Sequence, residues 1–178
     1  MSIAPLFPGY AEIPAPADDP LWRKWLTVRS APDVEHAPVE LSCGDVARFN
    51  AQVNRDVHYL AEPRGADEWQ TPAQTMSALS GDCEDISILK YAVMRRSGLP
   101  EAAMRIVLGQ IQGPAGRLDH AWLALFLEDA WRVLDNKFDQ LIAPQDYINW
   151  LPAKALWSDQ VALFGRQMTI NEILARHG

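Results

Sequence analysis

The feature that most restricts how this chain can fold is a change of hydrophobic period near residue 100. Before it, Val46, Phe49, Val53 and Val57 recur at helical spacing, as do Ile86, Leu89 and Val93 with Ala92 beside them; such stripes mark buried helix faces. After Gly98 and Pro100, the runs Arg105 to Ile111, His120 to Leu127 and Trp131 to Leu134 are rich in β-formers. Gly113-Pro114-Ala115-Gly116 and Glu128-Asp129-Ala130 separate them, so strands joined by turns are predicted. Helices followed by consecutive strands predict an α+β fold built on an antiparallel sheet. Ser42 with Asp45, and Thr71-Pro72 with Gln74, read as capping boxes that open two helices. Asp82 to Ser97 carries acids in its first turn and Arg95 and Arg96 in its last, the distribution a helix dipole favours, and its apolar stripe makes it the central helix. A further box at Thr169 to Glu172 predicts a short final helix.

Seven of the thirteen prolines fall within residues 1–38, which forbids a mainly helical stretch or a central strand there. Residues 1–41 are expected to form an N-terminal arm and residues 42–178 the globular unit. Within the arm, Asp19 and Pro20 read as the cap and first turn of a short helix through Leu26, with Trp22 and Trp25 pinning it to the body. The arm either wraps the body or covers a functional cleft.

Composition narrows the function. A net charge of −7 over 178 residues, with no Lys/Arg run longer than two, leaves no basic stripe for nucleic acid or anionic lipid. No apolar run reaches the roughly 18–20 residues a membrane helix needs. Two cysteines without a C-x-x-C pair exclude a disulfide framework and a zinc or redox motif of that kind. With no basic n-region followed by a long apolar run, the sequence as it stands reads as cytoplasmic, or as periplasmic if a leader has been removed.

The remaining question is what each cysteine does. A thiol attacks a carbonyl at neutral pH only when a helix N-terminus or an imidazole stabilises the thiolate. Cys83 stands in the first turn of the central helix, directly after Gly81 and Asp82, where a glycine lets a substrate backbone approach and backbone N–H groups can meet an oxyanion. Cys43 also opens a helix but lacks this setting and reads as structural. His120 opens one strand and Asp135 closes the next; a tight turn centred on Glu128-Asp129 sets residue 122 opposite residue 135. His120 and Asp135 are then diagonal neighbours on one face, within side-chain reach, whereas Asn136 points to the other side. A base and its orienting acid are therefore expected on one sheet, against a nucleophile on a helix.

Gly81-Asp82-Cys83-Glu84-Asp85 entering a helix, Asp119-His120-Ala121 and Val133-Leu134-Asp135-Asn136 resemble the motifs of the bacterial transglutaminase-like cysteine peptidases. Asn54 to Tyr59 and Trp69-Gln70-Thr71-Pro72 resemble that family too, and the likeness spans roughly residues 45–150. Gln70 stands where the family pattern has a small residue, and the proline-rich arm has no counterpart in it. The resemblance implies a papain-like fold with Cys83 as nucleophile, His120 as general base and acid, and Asp135 as orienting residue. It implies calcium as cofactor, bound with the help of Asp82 and Glu84, and an oxyanion or substrate role for Trp69. It implies a protein or peptide substrate and leaves room for a regulator protein. Acids beside a thiol raise its pKa, which a cation would offset; the same acids also suit the helix dipole without a metal. The activity expected is hydrolysis of a peptide bond through a thioester, with acyl transfer to an amine, or a catalytically silent binding module, as the competing readings.

Overall fold

The hydrophobic stripes and caps predicted above organise a computed structural model that describes residues 3–29, 40–63, 67–114 and 116–166. The capping box at Thr169 to Glu172 lies outside the described residues. Four helices form: α1 (Pro20–Arg29), α2 (Cys43–Asp56), α3 (Pro72–Ala78) and α4 (Cys83–Arg96). Ser42 and Asp45 cap α2 reciprocally, and Thr71 and Gln74 do the same for α3. Asp82 and Asp85 make a third such box at α4. Each satisfies orphan donors at a helix start.

Six strands build the main sheet: β1 (Tyr10–Pro14), β4 (Met104–Gly113), β5 (Gly116–Leu127), β6 (Ala130–Leu134), β7 (Trp150–Trp157) and β8 (Gln160–Arg166). Their order is β1-β8-β7-β4-β5-β6, antiparallel throughout. A parallel two-residue pair, β2 (His58–Tyr59) with β3 (Ser80–Gly81), lies apart and leads into α4. The α+β expectation holds; β1, β7 and β8 extend the sheet beyond the three predicted strands. Their pairing depends on distant partners, and the Pro-rich setting of β1 suits the edge it occupies.

α4 is more deeply buried than its predicted stripe. Ile86 and Leu89 pack with Val53 of α2 and with Val57, its C-cap, while Ile88, Tyr91 and Met94 pack with Met104, Ile106, Leu123, Leu125 and Leu156 of the sheet. Val93 is only half-buried. A helix enclosed on both sides loses a single inward stripe. The opposite face of the sheet carries Val107, Trp122, Ala124 and Val133 and is covered by Leu6 and Phe7. The N-terminal segment therefore wraps that face and supplies an edge strand, with the Trp131 indole N–H donated to the Ala4 carbonyl at 2.7 Å. Trp25 is buried as expected, its N–H donated to Ser158 O at 2.9 Å.

Candidate active site

The site is built where α4 begins and β6 ends. Glu128 and Asp129 both take positive φ, 49° and 60°, the conformation of a tight two-residue hairpin turn. The register that follows pairs Leu123 with Leu134, so residue 122 lies level with residue 135 and the predicted diagonal is realised. His120 Nε2 stands 2.9 Å and 3.1 Å from the two oxygens of Asp135. A ring nitrogen that faces a carboxylate carries the proton, which leaves Nδ1 for another partner. β6 stops at Leu134, so the edge of β5 is open beyond Leu123, and the Ala121 N–H reaches the Cys83 thiol there. Cys83, His120 and Ala121 line one cleft of about 760 Å³, together with Tyr59, Glu62, Trp69, Asp82 and Glu84.

Asp135 is 1% exposed. Burial by itself would raise its pKa, but hydrogen bonds from His120, Tyr147 and the Lys137 N–H outweigh it and hold the carboxyl below the usual range. Cys83 is pushed the other way. Burial raises the thiol strongly, the charge of Glu84 and its hydrogen bond raise it further, and the Ala121 N–H opposes them. The thiol donates to Glu84 Oε2 at 2.9 Å. Asp82, pressed by burial and by Glu84, Asp85 and Glu62, is raised to about 8. These carboxylates are hard oxygen donors of the kind calcium takes. Among the described residues no three His, Cys, Asp or Glu side chains converge as a metal cage.

One position differs from the expectation. Gly81 does not open a path for a substrate backbone: a Cβ there would stand 2.7 Å from Asp85 Cβ. The glycine makes room for the side chain that closes the α4 capping box and accepts the Gln70 N–H at 2.7 Å. Trp69 does line the cleft, but its indole N–H is donated to Asp67 Oδ1 at 3.1 Å and Lys24 stands over its ring. Cys43 is half-buried, with its backbone N–H donated to Glu128 Oε1 at 2.9 Å.

Sequence reasoning missed a polar layer under Cys83, His120 and Asp135. Lys90 of α4 is 0% exposed and donates to Asn50 Oδ1 and Asn54 Oδ1, each at 2.7 Å. Asn54 in turn donates to the Asp135 carbonyl at 3.0 Å, and Asn50 to Phe138 O at 2.7 Å. The helix that opens with Cys83 is thus tied through α2 to the loop that carries Asp135. Tyr147 donates to Asp135 Oδ2 at 2.6 Å. A charged residue deep in a helix, and an aromatic in an irregular stretch, give no periodic signal.

Comparison with known proteins agrees with this fold. The family model described as bacterial transglutaminase-like cysteine proteinase matches residues 27–150. Among solved structures, Legionella pneumophila LapG matches at a TM-score of 0.59 with 17% identity, covering 80% of this chain and 76% of that one. Its calcium-bound form matches at 0.61 with 16% identity, over 89% and 88% of the two chains. Its EGTA-treated form matches at 0.59 with 17% identity, over 87% and 83%. At these identities the likeness shows a shared fold. No curated protein matches the sequence.

Proposed function

The chain belongs to the bacterial transglutaminase-like cysteine proteinases, and from that premise we propose that it hydrolyses a peptide bond in a protein substrate through Cys83, His120 and Asp135. The observation that carries the reading is the His120–Asp135 hydrogen bond at 2.9 Å, opening onto the cleft that holds Cys83 at the start of α4. In the reaction His120 Nδ1 takes the thiol proton and Sγ attacks the scissile carbonyl. The developing oxyanion is met by backbone N–H groups at the α4 N-terminus; Trp69 joins them only by releasing Asp67. The imidazolium, held by Asp135, gives its proton to the leaving amine as the C–N bond breaks. A thioester remains. Water enters, His120 takes its proton, the C–S bond breaks, and the acid product leaves with the thiol restored.

Calcium belongs to this proposal. LapG has been solved with calcium and after EGTA treatment, and here Asp82 and Glu84 would hold the ion, with carbonyls and water completing its 6–8 oxygens. Bound there, it would neutralise the acids that oppose thiolate formation at Cys83.

Iodoacetamide labelling with peptide mass mapping tests the site. Cys83 should react well ahead of Cys43 at neutral pH, and Cys83→Ala should abolish cleavage of a peptide library. Equal labelling of the two cysteines would refute the mechanism.

A further inference from the structure

We propose that Tyr147 is a positioning residue of this site, whose phenol locks the Asp135 carboxylate in the orientation that holds His120. The inference rests on the peptidase reading given above.

Asp135 has two oxygens to place. Oδ1 is fixed by the Lys137 N–H at 2.9 Å. Among the described residues Oδ2 has no backbone donor; apart from His120 its partner there is the Tyr147 hydroxyl at 2.6 Å. With the phenol removed, the Lys137 N–H and His120 itself are left to orient the carboxylate, which can rock about its Cβ–Cγ bond and carry both oxygens out of line with His120 Nε2.

The phenol is itself held. Its ring lies almost parallel to Trp122, with centroids 5.9 Å apart and 14° between planes. Phe138 meets it edge-on at 5.9 Å, and Trp150 is tilted against it at 5.5 Å. Trp150 also presents an edge to His120 at 6.1 Å. Room for Trp150 comes from Gly109, where a Cβ would stand 2.7 Å from Trp150 Cζ2 and 2.3 Å from the Leu151 carbonyl. The rings thus hold acid, base and phenol in one packed unit. Burial and the adjacent Asp135 charge raise the phenol's pKa, so it remains a donor throughout the neutral range. A donor that persists while the imidazolium forms keeps Asp135 ionised and aimed, which is where a charge-assisted hydrogen bond has its largest effect.

The test is a double-mutant cycle. Tyr147→Phe removes one oxygen and leaves the ring packing in place. The readout is the rate of Cys83 alkylation by iodoacetamide at neutral pH, with Cys43 of the same molecule as reference. Tyr147→Phe is expected to slow Cys83 about tenfold in the wild-type background and less than about twofold with Asp135→Asn, because the phenol acts through that carboxylate. Equal losses in both backgrounds would show a packing role and overturn the proposal, as would no loss in the wild type. A second readout is the His120 Nε2–H proton by NMR, which should exchange with water about tenfold faster in Tyr147→Phe; unchanged exchange also counts against it. Failure of the peptidase reading looks different: Cys83 then fails to outpace Cys43 in the wild type itself.

Discussion

Replacing Lys90 with methionine should change how stability depends on pH. Lys90 is fully buried between α4 and α2, its ammonium held by Asn50 and Asn54, with Asp135 and Asp139 as the charges that face it. Burial outweighs those two acids and lowers its pKa from 10.5 to about 7. In the unfolded chain Lys90 keeps its proton up to its ordinary pKa. Between pH 7 and 10.5 the unfolded state therefore binds up to one proton more, and stability rises with pH at a limiting slope of about 1.4 kcal/mol per unit. The full span is about 5 kcal/mol, of which roughly 2 kcal/mol falls between pH 7 and 9. Lys90→Met abolishes this term. It also leaves two asparagine oxygens without a donor, at about 1–3 kcal/mol each, a cost nearly independent of pH. Urea unfolding of both proteins at pH 7, 8 and 9 gives the check. The wild-type minus variant stability should grow by roughly 2 kcal/mol over that range. Asp82, raised to about 8, has the opposite sign, its contribution being lost as pH rises through that value, but it is common to both proteins and cancels in the difference. A difference constant to within about 0.5 kcal/mol would refute the reasoning, because a lysine ionised throughout this range in both states contributes no slope.

Glu84→Gln removes the charge and the acceptor beside the thiol. In chelator-treated protein it should speed Cys83 alkylation about tenfold, equivalent to roughly 1.4 kcal/mol, and a rate equal to the wild type would show that Glu84 does not restrain the thiol. Calcium added to chelator-treated wild type should release heat in a titration calorimeter and accelerate the same alkylation; no heat with an unchanged rate removes calcium from the proposal. Gly81→Ala forces a Cβ against Asp85, so thermal unfolding should report a loss of about 1–3 kcal/mol, and an unchanged melting temperature would place the strain elsewhere.

Much of the site was legible because it is locally encoded. Asp82 and Asp85 cap α4 through neighbours three residues apart, and the turn at Glu128-Asp129 carries the register that brings His120 to Asp135. The family motifs lie on those same short segments. β1 was not legible, because its partner β8 lies about 150 residues away and its own prolines obscure the pattern. β7 contains Pro152 and has a register shift opposite Leu108 and Gly109, which breaks the alternation a strand is recognised by. The neighbour that requires glycine at position 81 was not legible, because chain order does not show that the Asp85 side chain folds back over it.

By itself, the sequence determined the helix-then-strand order, the capped helix that opens with Cys83 and the diagonal of His120 and Asp135, because each depends on hydrogen bonds or turn geometry spanning only a few residues. Tertiary structure alone decided what surrounds Cys83, His120 and Asp135. It buried Lys90 beneath Asp135, turned the Cys83 thiol toward Glu84, sent the Trp69 indole to Asp67 and brought Tyr147 onto the Asp135 carboxylate. These outcomes depend on which distant groups lose water together, and desolvation belongs to the packed assembly rather than to any one segment.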